Sequence, residues 1–346
     1  MKLKNFDNKK ILITGATGSI GSAVIFELIK HCKFKVIRAL SNDENGLFEL
    51  GQKINPEISN FNSMMKSNKI RLVYGDIRNY QRCLEASEGI NIIIHAAAMK
   101  HVPICEYNPG EAVSTNILGT ENICKAAVKN KVEKVIFIST DKAVNPQTLM
   151  GTTKLMGEKI VLNANDVSSN NSVIFSCIRF GNVIGSRGSV LEIFKEQIKK
   201  KQSITLTDKN MTRFFIDIEL AAKQILNALK ISKGGEIFII KSMRAIKIFD
   251  LAKVLINFYN KKIKIKVIGT RRNEKLFEEI LTEKEVDLAL ENKNFIIINQ
   301  KYNRKANSKY YLAHKINAND IYINSKNDTL LKEIEIKNFL IKNKLI

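Results

Sequence analysis

The sequence predicts an α/β protein: a doubly wound parallel sheet with a smaller α/β region toward the C-terminus. Three observations support this. Short, almost wholly apolar runs of strand length alternate with helix-length segments over the first 180 or so of the 346 residues. The runs are apolar throughout rather than alternating, as strands covered on both faces are. The first run enters a glycine-rich turn that opens directly into a helical pattern.

Taken in order, Lys10-Ile11-Leu12-Ile13 reads as a buried strand, followed by the turn and a helix over 19–31. Strands follow at 34–40 and 70–74, a helix at about 80–87, and a strand at 90–95. A long helix is expected over 111–130, a strand over 134–139, a helix over about 148–165 and a strand over 173–179. Each strand–helix–strand step is long enough for a right-handed crossover. The alternation then weakens, and Glu236-Ile237-Phe238-Ile239-Ile240 reads as one more sheet strand. The expected division is therefore 1–183 with 213–242 returning to it, against 184–212 and 243–346 as a ligand-binding region. Residues 301–328 are polar and weakly periodic, and no detailed structure is assigned to them.

Composition narrows the class. The 45% apolar and 26% charged content suits a globular enzyme. No apolar run approaches the ~20 residues needed to cross a bilayer, and Met1 to Phe6 lead into no signal-peptide core, so a cytoplasmic protein is expected. The cysteines at 32, 83, 105, 124 and 177 form no metal-type pair, so neither a zinc site nor a disulfide framework is expected. The net charge of +22 is spread along the chain, with no nucleic-acid-binding signature. An anionic small-molecule ligand accounts for it better than nucleic acid does.

The turn reads Thr14-Gly15-Ala16-Thr17-Gly18-Ser19-Ile20-Gly21. Glycines at 15, 18 and 21 suit a tight turn, close approach to a pyrophosphate, and close helix–strand packing; the helix N-terminus then faces the phosphates. This is a Rossmann dinucleotide site. The second strand ends at Ser41-Asn42, with acids only at Asp43 and Glu44 and none at the tip itself for a ribose 2′-hydroxyl, and Arg38 and Lys10 are expected nearby. The expectation is NADP rather than NAD.

Further blocks make the chain resemble the extended short-chain dehydrogenase/reductases. These are the glycine turn, Gly75-Asp76-Ile77-Arg78, His95-Ala96-Ala97-Ala98, and Lys154 placed thirteen residues beyond the Asp of Ser139-Thr140-Asp141. Met99-Lys100-His101-Val102-Pro103, Asp141-Lys142-Ala143-Val144-Asn145-Pro146, Arg179 to Ser189, Met211 to Phe215 and Glu274-Lys275-Leu276 narrow it further. Together they resemble the UDP-N-acetylglucosamine 4,6-dehydratases of capsule and flagellin glycosylation, over about residues 8–290.

The resemblance implies oxidation at sugar C4, loss of water across C5–C6 and hydride return to C6. A UDP-4-keto-6-deoxy sugar results, and a tightly bound NADP or NAD is recycled. It implies Asp141 as acid and Lys142 as base, with burial keeping the carboxyl protonated and the amine neutral. Lys154 would hold the nicotinamide ribose, and Thr140 and Met150 would flank the reacting carbon. The dinucleotide would contact Thr14, Gly15, Thr17, Gly18, Ser19, Ile20, Gly21, Ser41, Asn42, Asp76, Ile77, Ala96, Ala97, Ala98 and Lys100. Lys100, Asn182, Arg187, Ser189, Met211, Arg213, Arg271 and Glu274 would contact the UDP-sugar.

Two departures matter. The usual Tyr four residues before Lys154 is Met150, which cannot carry a proton. Its absence leaves the 4-hydroxyl proton to Thr140, Asp141, Lys142 or water, or else leaves a nucleotide-binding protein without turnover. The usual Arg-Pro-Gly-Glu-Lys turn reads Arg271-Arg272-Asn273-Glu274-Lys275. A UDP-hexose 4-epimerase shares the fold and cofactor but normally keeps the Tyr. Relatives imply a homo-oligomer, dimer or hexamer. The C5 configuration stays open.

Overall fold

Among the described residues ten strands form one sheet, running from edge to edge as His314–Lys315, Ala289–Glu291, Phe295–Asn299, Glu236–Ile240, Ile174–Arg179, Lys134–Ile138, Ile92–His95, Lys10–Thr14, Val36–Ser41 and Ile70–Tyr74. The computed structural model describes residues 4–55, 69–167, 173–259, 262–299, 311, 313–315 and 324–346. The central strands are β1 (Lys10–Thr14), β2 (Val36–Ser41), β3 (Ile70–Tyr74), β4 (Ile92–His95), β5 (Lys134–Ile138), β6 (Ile174–Arg179) and β10 (Glu236–Ile240). All neighbours among them pair in parallel. The strand order reverses between β1 and β4, which puts a ligand crevice at the carboxyl ends of these two strands.

The first helix, α1 (Ser19–His31), begins where the sequence predicts. The helix at Tyr80–Ser87 also coincides with its expected range, and the one expected from about residue 148 is Leu149–Val167. The long helix expected over 111–130 is instead divided. It comprises Pro109–Val113, one π turn at Ser114–Leu118, and Gly119–Lys129, preceded by a separate short helix at Val102–Tyr107. The π turn turns Asn116 inward, where it is buried. Its Nδ2 donates to Met99 O and Thr153 Oγ1, and its Oδ1 accepts from Met99 N–H. One side chain thereby ties the loop after β4 to helix Leu149–Val167.

Beyond β10 the sheet gains antiparallel strands β14 (Phe295–Asn299), β13 (Ala289–Glu291) and β15 (His314–Lys315). Residues 289–299, expected in the ligand-binding region, therefore complete the main sheet. Their run Phe295-Ile296-Ile297-Ile298 is buried in the same core as β10. A second core unites the helices Val190–Lys199, Ile248–Phe258 and Glu333–Lys342, through Leu191, Phe194, Leu251, Leu255, Ile336 and Leu340. Two short parallel strands, β8 (Ile204–Leu206) and β12 (Ile265–Val267), flank it. Between the cores runs a small sheet of β11 (Arg244–Lys247), β9 (Thr212–Ile216) and β7 (Asn182–Val183). Much of the tail 301–328 lies outside the described residues. No described helix is long and apolar enough to cross a membrane.

Candidate active site

The glycine turn is built as its spacing requires. Gly15 has φ +63°, and a Cβ there would lie 2.7 Å from Ala97 backbone atoms, so the turn sits directly against the loop after β4. A Cβ on Gly21 would lie 2.3 Å from Gly15 O, so α1 packs on the turn itself. Gly18 is the N-cap of α1, and no side chain caps that first turn. Its N–H groups suit a pyrophosphate, so the residues present fit a dinucleotide.

Around the turn, Thr14 Oγ1 lies 2.7 Å from His95 Nδ1 and accepts from Ala97 N–H. Burial pushes His95 down to about 3, so its ring is a neutral bridge, with Nε2 3.0 Å from Thr120 Oγ1. Thr17 and Ser41 join hydroxyls at 2.8 Å, and Asn42 Nδ2 donates to Asp76 Oδ2. Ile20 and Ala96 pack against the main core, while Ile77 is buried within it.

The two cations offered for NADP lie elsewhere. Arg38 sits mid-strand, and its Nη1 donates to the carbonyls of Glu85, Ala86 and Glu88 at the end of helix Tyr80–Ser87. Lys10 opens β1, at the edge opposite the turn. The cation at the β2 end is Arg187, 3.5 Å from Glu49 and 3.9 Å from Asp43. Its segment crosses the crevice: Arg187 N–H donates to Ser19 Oγ, and Lys100 Nζ donates to Arg187 O. Arg187 thus lies beside the start of α1 and the acids that follow β2, and does not line the cavity next to Asp141 and Lys142.

Asp141 and Lys142 occupy a single 3-10 turn at the end of β5, capped by Thr140. Lys142 Nζ donates to Asp141 Oδ1 at 2.9 Å and to Asn182 Oδ1 at 3.0 Å, and lies 3.5 Å from Glu278 Oε1. Thr140 Oγ1 donates to the same Asp141 oxygen. The expected neutral amine is not the form this geometry favours. Burial pulls the Lys142 ammonium down, but the carboxylates of Asp141 and Glu278 outweigh it and hold its pKa above the usual lysine value. Asp141 is fully buried and its Oδ2 has no hydrogen-bond partner among the described residues.

Beside this pair opens a cavity of about 350 Å³, in the size range of small-molecule sites. Lys100, Lys142, Asn182, Ser189, Met211, Arg213, Arg271 and Glu274 all line it. Ser189 is the N-cap of helix Val190–Lys199, with its own Oγ buried and unpartnered among the described residues. Arg213 is not a free diphosphate ligand: its guanidinium donates to the carbonyls of Thr212, Lys275 and Leu276. The altered turn survives, because Asn273 adopts φ 63°, the left-handed conformation that Gly would supply. Glu274 closes that turn by accepting from Arg271 N–H.

Met150 packs with Cys105 and Ala112 in a small separate cluster. Lys154, one turn on, is 7% exposed, and its Nζ lies 4.1 Å from the centre of the Phe137 ring. Burial pushes its pKa down to about 8 against the opposing Glu158 carboxylate. Glu158 itself is held by buried Arg179 and by Ser139.

Sequence reasoning missed Glu278. It is 3% exposed, lines the cavity and faces both Lys142 and Arg213. Its N–H donates to Ser325 Oγ, and Ser325 N–H donates back to Glu278 O. The only sequence signal was its nearness to Glu274-Lys275-Leu276.

A family model described as "Polysaccharide biosynthesis protein" matches residues 11–300. The chain is 42% identical over 97% of its length, and 96% of the relative's, to an uncharacterized membrane protein of Methanocaldococcus jannaschii. It is 40% identical, over 85% of its length and 83% of the relative's, to a UDP-N-acetylglucosamine 4,6-dehydratase (inverting) of Campylobacter jejuni. A UDP-glucose 4-epimerase of Rickettsia rickettsii matches at 39%, over 81% and 80%. Among solved structures, Pen from Bacillus thuringiensis superposes with a TM-score of 0.87 at 39% identity, covering 97% of this chain and 98% of that one.

Proposed function

The chain belongs to the polysaccharide biosynthesis protein family, an extended short-chain dehydrogenase/reductase group of nucleotide-sugar dehydratases and epimerases, and from that premise we propose that it is a UDP-N-acetylglucosamine 4,6-dehydratase. The observation that carries the reading is the Asp141–Lys142 pair beside a cavity, in a chain whose superfamily Tyr position holds a buried Met150. An epimerase moves protons only at the 4-hydroxyl. A dehydratase must also take a proton from C5 and give one to the C6 oxygen, which requires an acid and a base together.

In this reading a nicotinamide dinucleotide lies along the glycine turn and supplies a reversible hydride store. NADP is the preferred form, because β2 ends without an acid at its tip and Arg187 brings a cation to that end. Lys154 holds the nicotinamide ribose. The uncapped helix at Ser189, with Arg271, takes the diphosphate. Asp141 accepts the 4-hydroxyl proton with Thr140 beside it, then delivers that proton to the departing C6 hydroxyl. Lys142, once neutral, removes the C5 proton. The 4-hydroxyl proton leaves in the eliminated water, Lys142 gives a proton back to C5, and the hydride returns to the sugar at C6, so no external reductant is consumed.

The test is to incubate pure protein with UDP-N-acetylglucosamine in D2O and follow the sugar by NMR. A 4-keto-6-deoxy product carrying deuterium at C5 is expected. Conversion to UDP-N-acetylgalactosamine instead would assign an epimerase, and an unchanged sugar with dinucleotide still bound would assign a protein without turnover.

A further inference from the structure

We propose that Glu278 is the proton acceptor for Lys142: it takes the ammonium proton when a sugar nucleotide fills the cavity, and leaves Nζ a free amine able to accept a proton from carbon. The inference rests on the dehydratase reading and supplies a step which that reading lacks, because Lys142 stands in the structure as one half of an ion pair.

The geometry singles out Glu278. Two carboxylates face Lys142. Asp141 Oδ1 accepts hydrogen bonds from Thr140 Oγ1 and Lys142 Nζ, at 2.9 Å each. Glu278 Oε1 stands 3.5 Å from both Lys142 Nζ and Arg213 Nε, and its Oε2, fully covered, has no partner among the described residues. Hydrogen bonds to a carboxylate stabilise its charged form and make it a poorer base. Each carboxylate keeps one unpartnered oxygen, but Asp141 Oδ1 takes two side-chain hydrogen bonds while Glu278 takes none among the described residues. Glu278 also lines the cavity, so a bound sugar changes its surroundings directly.

The backbone around it is fixed. Glu278 and Ser325 exchange two hydrogen bonds, N–H to Oγ at 3.0 Å and N–H to O at 2.9 Å, and Ser325 Oγ lies 2.9 Å from Thr212 Oγ1. A residue of the C-terminal tail thus anchors the Glu278 backbone against β9. An unpartnered buried oxygen is costly, and one held this firmly is retained against that cost.

The step balances. One Nζ–H bond of Lys142 breaks, one O–H bond of Glu278 forms, and no electrons are transferred. A charged pair becomes a neutral pair. Displacing water from the cavity raises the cost of both charges, which favours the neutral pair. Asp141 takes no part in this transfer and, in the dehydratase reading, receives the 4-hydroxyl proton. Glu278 acts only through the amine, as a positioning residue for that proton.

The test compares wild type with Glu278→Gln and Glu278→Asp, each with dinucleotide bound. Three readouts apply: affinity for UDP by calorimetry, nicotinamide absorbance on adding UDP-N-acetylglucosamine, and deuterium entry at C5. In Glu278→Gln, UDP affinity and the absorbance change should persist. Deuterium entry should slow by about 100-fold near neutral pH, the usual size of a lost general-base contribution. It should recover about tenfold for each rise of about one pH unit, as solvent deprotonates the amine. Glu278→Asp should restore most of the rate. Wild-type exchange and an unchanged pH profile in Glu278→Gln would overturn the assignment. So would parallel loss of all three readouts in both variants, which marks a structural role. Absence of exchange in wild type would instead sink the dehydratase reading itself.

Discussion

Replacing Lys154 by Met should stabilise the cofactor-free protein while weakening its hold on the dinucleotide. The ammonium is 7% exposed, and burial lowers its pKa from 10.5 to about 8. At about 1.4 kcal/mol per pH unit, that difference costs the folded state about 3 kcal/mol wherever both folded and unfolded chains are protonated. The contact with Phe137 opposes the cost but does not cancel it. Met keeps the apolar stem and nearly the volume, and removes the charge. Below about pH 8 the variant should therefore be more stable by up to about 3 kcal/mol. Between pH 8 and 10.5 the unfolded wild-type chain binds more protons than the folded one, so wild-type stability rises with pH and the gap closes. Urea denaturation of both cofactor-free proteins at about pH 7 and about pH 10 measures this directly. In parallel, dinucleotide affinity should fall at least about tenfold, the loss of the charged hydrogen bond to the ribose that the proposed function assigns to Lys154. A variant less stable than wild type near neutral pH, or a gap that ignores pH, would refute the reasoning.

Substitutions at two further positions test how the site is framed. Arg38→Ala removes the donor to three carbonyls at a helix end and should cost about 1–2 kcal/mol in denaturant. The ratio of NADP to NAD affinities, measured by fluorescence titration, should stay unchanged; a tenfold shift toward NAD would return Arg38 to the 2′-phosphate. Asn273→Ala forces a side chain without local hydrogen bonding into φ 63° and should lower stability by about 1 kcal/mol, while Asn273→Gly should be nearly neutral in thermal melts. Equal effects of the two would mean that the turn is not held in that conformation.

Much of the central sheet was legible in the sequence. Lys10-Ile11-Leu12-Ile13, the run from Ile92, Lys134 to Ile138 and Glu236 to Ile240 are apolar on both faces and bounded by turns, which only a covered strand satisfies. The divided helix over 102–129 was less legible. Pro109 marks one break, but the π turn exists to bury Asn116 against Met99 and Thr153, partners distant in sequence. Strands β13 and β14 were missed because a short apolar run does not announce which sheet it will join.

The site divides in the same way. The glycine turn is local: the positive φ of Gly15 and the uncapped helix follow from consecutive residues, so its position was readable, whereas its close approach to Ala97 came from the fold. The protonation of Lys142 was not. Adjacent Asp141 and Lys142 suggested an acid and a neutral base, but the third group, Glu278, arrives from more than a hundred residues away and reverses the effect of burial. Arg187 and Arg213 likewise matched diphosphate positions by motif, yet one faces Asp43 and Glu49 and the other is spent on backbone carbonyls.

What the sequence by itself determined is the parallel sheet, the dinucleotide turn and the presence of Asp141, Lys142 and Lys154 at one strand end and on the helix that follows. Those depend on periodicity and on spacing within a few turns of chain. Only the tertiary structure decided which charges face one another. Coulombic interaction and desolvation depend on distance through space, and folding alone brings Glu278, with Ser325 behind it, to Lys142.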